Sequence, residues 1–495
     1  MKWINAKPLD VIRFDQEPSH SIADWRAAMH ELLTSGARPV AMFTQKQPDG
    51  GHRVWTALTL PATNTLCLTN AVFPLFEKQS YPSLSNEFPS LNYFECELYE
   101  QSGIEPEGHP WLRPVRLGET WRHHDAPYSF YRVEGPEVHE IAVGPVHAGV
   151  IEPGHFRFQC HGEEILHLEI QLGYQHRGIE SLLPQQKPAQ RLVLAESIAG
   201  DSVIAHTTAY CSALEALNGT LLSLRSHALR GIALELERIA MHLASLGGIA
   251  TDIGFALPAA AFGALRTAVI NLTAGICGSR FGRGWIIPGG VRFDLDAVMI
   301  DKTREILGEM LAKFSDIEAL LFNSSSALAR MEETGIVSAE QARAAGLVGL
   351  AARASDIACD VRADFPCGIY RYSSIPVLRL DSGDVYARAK LRALEIYNSV
   401  QFIFEQLDNL PAPKPVGIPN EPPPNAFTIA LVEGHRGEIA HVLLTNAQGQ
   451  LSQIKIKDPS FHNWHGLALA VRENGISDFP LCNKSFDLSY AGHDL

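Results

Sequence analysis

Residues 231–247 read GIALELERIAMHLASLG and predict a long, buried helix. Apolar residues recur in this stretch at alternating spacings of four and three, which places them on one face of an α-helix. They are Ile232, Leu236, Ile239, Leu243 and Leu246. The glycine pair at 247–248 indicates that the helix ends there. We therefore predict a helical bundle as the core of the chain.

Helical patterns continue on both sides of this stretch, from about residue 188 to residue 406. Asp381 or Ser382 is placed to cap the first turn of the last long helix, which runs through Gln406. Seven prolines in residues 411–424 exclude regular structure, so we predict a stiff, extended crossing there. Three segments with strand composition follow this crossing, with a turn at 446–449 between the last two. The segments are 427–432, 439–444 and 451–456.

The first 118 residues predict a small α+β domain. Helical spacing runs from Ile22 to Leu33, and alternating apolar residues at 40–45 and 54–60 flank a turn-rich run that is typical of a β-hairpin. We place a connector at 119–136, where Pro, Gly and His interrupt the periodicity, and a second domain at 137–495. The predicted fold class is α+β, with a mainly α-helical bundle domain and peripheral antiparallel β strands after the N-terminal domain.

Length and composition narrow the classes of function. A chain of 495 residues is too long for one ordinary core, and its net charge of −14 argues against a nucleic-acid partner. The sequence has no run of eighteen uninterrupted apolar residues and no apolar stretch of a signal peptide at its start. Eight scattered cysteines without a C-x-x-C pair fit a reducing compartment. We expect a cytoplasmic protein without a transmembrane span of its own.

Residues 91–117, LNYFECELYEQSGIEPEGHPWLRPVRL, resemble the signature of the 30-kilodalton subunit of complex I. Cys96, Ser102 and Trp111 depart from the family pattern but leave its spacing intact. The matched positions are Glu95, Glu97, Tyr99, Gly103, Ile104, Gly108, His109, Pro110, Leu112 and Arg113.

From residue 143 onward the resemblance passes to the 49-kilodalton subunit of complex I and to the large subunits of nickel-iron hydrogenases. Five blocks follow in the order of that family. They are GPVHAGVIEPGHFRF (144–158), LGYQHRGIE (172–180), ELERIAMHLASLG (235–247), RGWIIPGGVRFDL (283–295) and SGDVYARAKLR (382–392). Together the two resemblances cover nearly the whole chain, in the fused arrangement of group 4, energy-converting hydrogenases of the formate hydrogenlyase type.

The hydrogenase relatives hold nickel and iron with four thiolates, because these metals prefer soft sulfur ligands. The first pair of cysteine positions falls here on Ala199 and Ser202, and the second pair falls on Cys482 and Ser485. Hydroxyl groups are poor ligands for soft metals, and one thiol cannot replace four. We therefore expect no metal bound by this chain. Cys482 alone is typical of a small, buried hydrophobic residue.

The resemblance implies proton-transfer groups and an acceptor site on the loop of residues 144–158 (the 144–158 loop). His147, Glu152 and His155 are the groups that could move protons there. The complex I relatives use a second histidine four residues after the first, and this chain has Ile151 at that position. Another complex I histidine, before the PGGV block, corresponds to Gly282. Quinone is thus a possible acceptor but not the only one.

Two Arg-Gly pairs complete the resemblance. His176 and Arg177 in HRGIE match the segment that faces the terminal iron-sulfur cluster of a partner subunit, where a guanidinium would tune the cluster potential. Arg436 matches the A-P-R-G loop above the active site, with Gly and His in place of Ala and Pro. We expect the 144–158 loop, Asp201 and Arg436 to form the cavity that accepts electrons.

Two other patterns have simpler interpretations. Glu235, Arg238 and His242 are spaced like a solvated or ion-paired helix face, which is a structural role. His462 and His465 have metal-like spacing, but two ligands are too few for a metal site.

The resemblance as a whole implies a subunit of an oxidoreductase complex similar to NADH-quinone oxidoreductase or hydrogenase. Such a subunit would pass electrons from a 4Fe-4S cluster in an iron-sulfur small subunit to quinone or another acceptor, coupled to ion translocation. The implied partners include membrane antiporter-like subunits, the implied location is peripheral on the cytoplasmic face of the inner membrane, and NAD(H) would act only at the level of the complex. Two alternatives remain, an active nickel-iron hydrogenase large subunit and a redox-silent docking subunit.

Overall fold

The computed structural model describes residues 3–14, 17–47, 49–75, 79–116, 128–148, 151–414 and 420–495. Its helices are α1 Ile22–Thr34, α2 Asn92–Ser102, α3 Ile179–Gln185, α4 Pro188–Ala195, α5 Val203–Asn218, α6 Leu224–Asp252, α7 Ala256–Cys277, α8 Ala297–Phe322, α9 Ser325–Met331, α10 Ala339–Ala345, α11 Gly349–Arg353, α12 Val361–Asp364, α13 Val385–Asp408, α14 Ser460–Ala470, α15 Phe479–Phe486 and α16 Tyr490–Asp494. Its strands are β1 Ile4–Ala6, β2 Ile12–Arg13, β3 Arg38–Lys46, β4 His52–Leu60, β5 Thr65–Phe73, β6 Ser80–Pro82, β7 Glu105–Glu107, β8 Val138–Val143, β9 His155–His161, β10 Glu164–Gln171, β11 Ile286–Ile287, β12 Gly290–Val291, β13 Ala426–Glu433, β14 Glu438–Thr445 and β15 Leu451–Lys457.

The N-terminal part is a four-stranded antiparallel sheet in the order β1-β5-β4-β3, with α1 packed on it. Lys46 pairs with His52 at the end of the hairpin, so the predicted hairpin is confirmed. The predicted first helix is also confirmed as α1, which begins after Ser21, whose side chain accepts a hydrogen bond from the next turn. Trp25 of α1 is fully buried against the sheet and donates to Thr56.

A second antiparallel sheet, in the order β10-β9-β8, occupies residues 138–171, where the sequence analysis named no strands. Phe156, Phe158 and Cys160 are buried at alternate positions of β9, which is the period of a strand with one face in the core. This sheet carries the second half of the 144–158 loop.

The bundle is organised around α6, and the predicted helix is longer than expected. The predicted end at 247–248 is wrong, because α6 continues to Asp252. Both glycines lie at helix contacts instead: a side chain at Gly247 would meet Phe262 at 3.5 Å, and one at Gly248 would meet Lys484 at 3.4 Å. These are ordinary van der Waals distances, so the two glycines lie inside a packed helix and do not end it.

The cap of α13 also differs from the prediction. Asp384, rather than Asp381 or Ser382, is the capping residue, and its carboxylate accepts the backbone N–H of Ala387 at 2.8 Å. Ser382 supports this cap by donating to the same carboxylate at 2.8 Å. The cap therefore lies two residues after Ser382 and three after Asp381.

The three predicted C-terminal strands are confirmed as β13, β14 and β15, and the sheet has a fourth strand from the other end of the chain. β2 pairs antiparallel with β13, and the two sheets share a core in which Phe427 lies 4.9 Å from Trp55 and 5.8 Å from Phe43 between ring centroids. The described residues 411–414 and 420–424 contain neither helix nor strand, as predicted for the crossing. Residues 415–419, and residues 117–127 of the predicted boundary and connector, lie outside the described part.

The α+β class is confirmed. Within the described residues one helix, α7, is long and apolar enough to cross a membrane by length and composition alone. Its most apolar stretch is 44% buried in this structure, and core helices of soluble proteins pass the same test.

Candidate functional site

Arg436 forms the centre of the candidate site, on the tight turn of residues 434–437 (the Arg436 loop) between β13 and β14. Its guanidinium binds Asp201, which precedes α5, with Nη1 to Oδ1 at 2.9 Å and Nη2 to Oδ2 at 2.5 Å. Such bidentate pairs are strong and directional. Arg436 is only 6% exposed, whereas the Asp201 side chain is 38% exposed, so the pair lies at the boundary with solvent.

The remaining donors of Arg436 are nearly all used by the protein. Nε donates to the carbonyl of Asp487, and Nη1 lies 3.4 Å from the Ser202 hydroxyl. Apart from its bond to Asp201, Nη2 has the Asp487 carboxylate at 4.0 Å as its nearest acceptor among the contacts of the described residues, which is too far for a hydrogen bond. Burial would raise the pKa of Asp201, but the Arg436 guanidinium holds that pKa well below its ordinary value. The pair is therefore ionised and leaves one N–H available to a ligand.

The four former ligand positions do not fit a nickel-iron centre. The Ser485 hydroxyl accepts from Arg388 at 2.8 Å and donates to the carbonyl of Cys482 at 2.6 Å. Burial raises the pKa of the Cys482 thiol to about 11, and a side-chain atom on Gly335 would lie 2.6 Å from its sulfur. In the described part of the chain, no group of three or more His, Cys, Asp or Glu side chains is arranged to hold a metal ion.

His147 and His155 hold the 144–158 loop in shape. His147 Nε2 lies 2.9 Å from the carbonyl oxygen of Gly154, and His155 Nδ1 lies 3.1 Å from that of Gly144. Each ring thus bonds to the backbone on the opposite side of the loop. Among the described contacts, neither histidine bonds to Arg436 or Asp201, so the structure places them beside the site rather than in it.

Glu152, from the same loop, does come close to the ion pair. Partial burial and the charge of Asp201 raise its pKa, while Arg436 partly offsets that increase. Hydrogen bonds from the Gln175 side chain and the Tyr490 backbone act in the same direction as Arg436. The structure therefore brings Glu152, Asp201 and Arg436 into one electrostatic unit.

The HRGIE segment (residues 176–180) begins with two exposed side chains, His176 and Arg177. Both side chains bond to backbone carbonyl groups. His176 Nδ1 lies 2.7 Å from the carbonyl oxygen of Asp494. The Arg177 guanidinium donates to four backbone carbonyls and to no carboxylate in the described residues, and partial burial lowers its pKa. The carbonyls belong to Gln175 (3.3 Å), Ser197 (2.5 Å), Ile198 (2.8 Å) and Ala491 (2.9 Å). Arg177 thereby joins this segment to the residues before Ala199 and to α16.

A buried ion cluster supports the Arg436 loop from below. Glu235, Arg238 and His242 are at most 1% exposed, so the ion-paired interpretation of this helix face is confirmed and the solvated one is wrong. Arg238 donates to the carbonyls of Glu433 and Gly434 at 2.8 and 3.0 Å. These hydrogen bonds hold the backbone immediately before Arg436 in place. The other members of the cluster are Arg353, Asp360, Arg362, Tyr370, Glu395 and Ser399.

Two residues of this region, His435 and Glu395, were not predicted from the sequence as neighbours of the site. His435 is 4% exposed, and both of its ring nitrogens lack a hydrogen-bond partner within the described residues. Glu395 accepts from His242 at 2.7 Å, 153 residues away in sequence. The replacement of Pro by His in the family's loop was a signal for His435, but spacing alone offers no signal for Glu395. His462 is fully buried on α14, one turn before His465.

Comparisons with known proteins identify the family to which the chain belongs. Residues 252–420 match the family model "Respiratory-chain NADH dehydrogenase, 49 Kd subunit", and residues 27–130 match "Respiratory-chain NADH dehydrogenase, 30 Kd subunit". The carbon monoxide-induced hydrogenase of Rhodospirillum rubrum is 31% identical over 348 residues, which cover 70% of this chain and 96% of that protein. The chain belongs to the family of complex I 49-kilodalton subunits and hydrogenase large subunits.

The fused N-terminal part is shared with longer members of this family. Formate hydrogenlyase subunit 5 of Escherichia coli is 28% identical over 472 residues, which cover 91% of this chain and 83% of that protein. A solved structure of the membrane-bound sulfane sulfur reductase, described as an archaeal respiratory membrane complex, shares the fold with a TM-score of 0.68. It is 23% identical and covers 72% of this chain and 99% of its own.

Proposed function

We propose that this chain is the large subunit of a membrane-bound, complex I-like or hydrogenase-related oxidoreductase complex. It passes electrons from a 4Fe-4S cluster in an iron-sulfur partner to quinone or another acceptor. The observation that supports this proposal most is the intact Arg436–Asp201 pair beside four ligand positions of which only one, Cys482, carries a thiol. A changed reaction on the old scaffold retains the charged acceptor site and discards the metal.

The residues of the site have separate tasks in this proposal. The acceptor gains negative charge as electrons arrive, and the available N–H of Arg436 donates a hydrogen bond to it. Asp201 fixes the plane of the guanidinium. Glu152, whose pKa is raised, supplies the proton that accompanies the electrons. His147 and His155 keep the loop that carries Glu152 in place.

The iron-sulfur subunit would dock on the face that carries His176 and Arg177. Exposed apolar side chains in neighbouring segments support a covered surface: Val146 is 81% exposed, Val193 62% and Tyr174 39%. The cluster would then lie near Arg177. The remaining partners are membrane antiporter-like subunits on the cytoplasmic face of the inner membrane, where proton uptake drives ion translocation. NAD(H) enters only through other subunits of the complex.

Purification of the complex from its native membrane tests this function. We expect iron in the amount of the partner clusters, nickel far below one atom per complex, and reduction of a soluble quinone that Arg436→Ala abolishes. Stoichiometric nickel would identify an active hydrogenase instead. Full electron transfer in a His147→Ala, Arg436→Ala double variant would identify a redox-silent docking subunit.

A further inference from the structure

A second group of titratable side chains lies behind the Arg436 loop. His206 of α5 bonds with one ring nitrogen to Asp458 and with the other to His441 of β14. His206 Nε2 lies 3.0 Å from Asp458 Oδ2, and His206 Nδ1 lies 3.1 Å from His441 Nε2. All three side chains are at most 1% exposed. Three titratable groups are thus in direct contact, away from solvent.

One end of this chain of groups reaches the candidate site. Asp458 Oδ1 accepts the backbone N–H of Ser460 at 2.7 Å, and the Ser460 hydroxyl accepts that of Ser489 at 2.9 Å. Arg436 donates to the carbonyl of Asp487, two residues before Ser489. Burial raises the pKa of Asp458, but the His206 hydrogen bond and the Arg436 charge lower it below its ordinary value. The charge of Arg436 therefore acts on the Asp458 carboxylate.

The other end of the chain of groups is a ring nitrogen of His441 that could accept a hydrogen bond or a proton. His441 Nδ1 is buried and has no hydrogen-bond partner within the described residues. Burial, together with the nearby His206, lowers the pKa of His441 well below its ordinary value, so this ring is neutral. The charged residues on the other face of the same sheet are already matched, since Lys457 and Arg38 both bind Glu438.

We infer that Asp458, His206 and His441 form a proton store for the electron-transfer site, an assignment that rests on the proposed function. In the unloaded state, His206 Nε2–H donates to the Asp458 carboxylate and His441 Nε2–H donates to His206 Nδ1. A proton from water then bonds to His441 Nδ1, and the bridging proton moves from His441 Nε2 to His206 Nδ1. The loaded state contains the His206 imidazolium beside the Asp458 carboxylate. No electron moves within the store, and its charge changes from −1 to zero.

The site and the store are coupled through charge. Electrons that reach an acceptor beside Arg436 add negative charge there and offset the field of the guanidinium at Asp458. The loaded state then becomes more favourable, because the added negative charge stabilises the extra proton of the store. The site and the store therefore titrate as coupled groups. Reduction of the site therefore draws one proton into the store, where it is available for transfer to the acceptor.

Proton uptake during electrochemical reduction of the purified complex, followed with a pH-indicator dye, tests the store. We expect the unmodified complex to take up about one proton more than His206→Gln or Asp458→Asn, since neither variant forms the ion pair of the loaded state. His441→Gln retains an oxygen that accepts from His206 Nδ1–H and keeps most of the uptake, whereas His441→Leu loses it. His462→Gln, which replaces an equally buried histidine outside the store, is the matched control and keeps full uptake.

Equal uptake in the unmodified complex and His206→Gln would refute the store while the proposed function stands. If the complex cannot be reduced at all, the proposed function fails, and a separate measurement decides on the store. Nitrogen-15 resonances of labelled histidine, assigned by their loss in His206→Gln, report whether both ring nitrogens of His206 become protonated. A neutral His206 throughout the pH range of the folded protein would exclude the store. Thermal unfolding of each variant identifies losses that are due to folding.

Discussion

The HRGIE segment and the Arg436 loop each present an Arg-Gly pair, and their surroundings are opposite. Arg436 is buried, and a carboxylate neutralises it. Arg177 is exposed and bonds only to uncharged carbonyls among the described residues. The carboxylates of Asp494 and Glu152 act on the pKa of Arg177 through their charges, but neither binds its guanidinium. Arg177 thus keeps more of its positive field than the directly paired Arg436. We therefore expect Arg177 to act on a partner's cofactor from a distance and Arg436 to act on the molecule that it touches.

Removal of Arg436 should have the largest effect. We expect Arg436→Ala to lower the electron-transfer rate of the complex about 100- to 1000-fold, the usual cost of one preorganised donor at developing charge. Arg436→Lys keeps the charge but loses the bidentate geometry, so its rate should lie between those of the unmodified protein and Arg436→Ala. Steady-state quinone reduction measures this. Equal rates for Lys and Ala would show that charge at this position contributes nothing.

Glu152 should have the next largest effect, visible in the pH dependence. We expect Glu152→Gln to slow turnover about 100-fold, because it removes the proton donor. In the unmodified protein the raised pKa keeps Glu152 protonated to higher pH than an ordinary carboxyl group, and activity falls as pH rises above that pKa.

Asp201→Asn sharpens this test of Glu152. It removes a neighbouring negative charge and frees Arg436, and both changes lower the pKa of Glu152. The alkaline limb of the activity profile should therefore move to lower pH. A limb that stays in place would assign the proton to another group.

Arg177→Met should have a smaller and different effect. Loss of its positive charge should shift the potential of the partner's cluster and slow electron transfer about 10-fold, with little change in affinity for the acceptor. Spin resonance of the cluster during a redox titration checks this shift. An unchanged cluster signal together with a raised KM would place Arg177 at the acceptor instead.

His147→Ala should have the smallest effect and should act on stability. The ring provides one hydrogen bond to the loop backbone, so we expect a loss of about 0.5–1.5 kcal/mol in the free energy of unfolding. Chemical denaturation measures this, with His139→Ala, an exposed position on β8, as the control. A strong loss of activity without a loss of stability would give His147 a chemical role.

Local periodicity and motif spacing were enough to predict much of the fold. The hairpin, the first helix, the bundle helices and the three C-terminal strands all follow from patterns within a few residues. The errors have physical reasons. Glycine at 247–248 is typical of a helix end, but tertiary packing continues the helix through both residues, which pack near Phe262 and Lys484. The strands at 138–171 were not predicted, and their burial does not alternate regularly, since Gln159 is buried between Phe158 and Cys160.

The segments of the site were predictable because each one carries its own short motif. Arg436, Asp201 and Glu152 come from three separate segments, and the structure brings them close to one another. The cluster below them was not predictable, because Glu235 and His242 also bond to residues 127 to 164 positions away, namely Arg362, Glu395 and Ser399. A spacing of three and four on a helix looks the same whether its partners are water or buried arginines.

The pairing of β2 with β13 has a consequence for the order in which the protein is made. The Thr428 hydroxyl donates to the carbonyl of Asp10, 418 residues earlier, beside the two-residue contact between these strands. At ordinary rates of synthesis the N-terminal edge waits about 20 to 80 s for its partner to leave the ribosome. During that interval the apolar face of the first sheet, with Phe43 and Trp55, is uncovered. Until the last strands emerge, this apolar face of the nascent chain has no partner sheet to cover it.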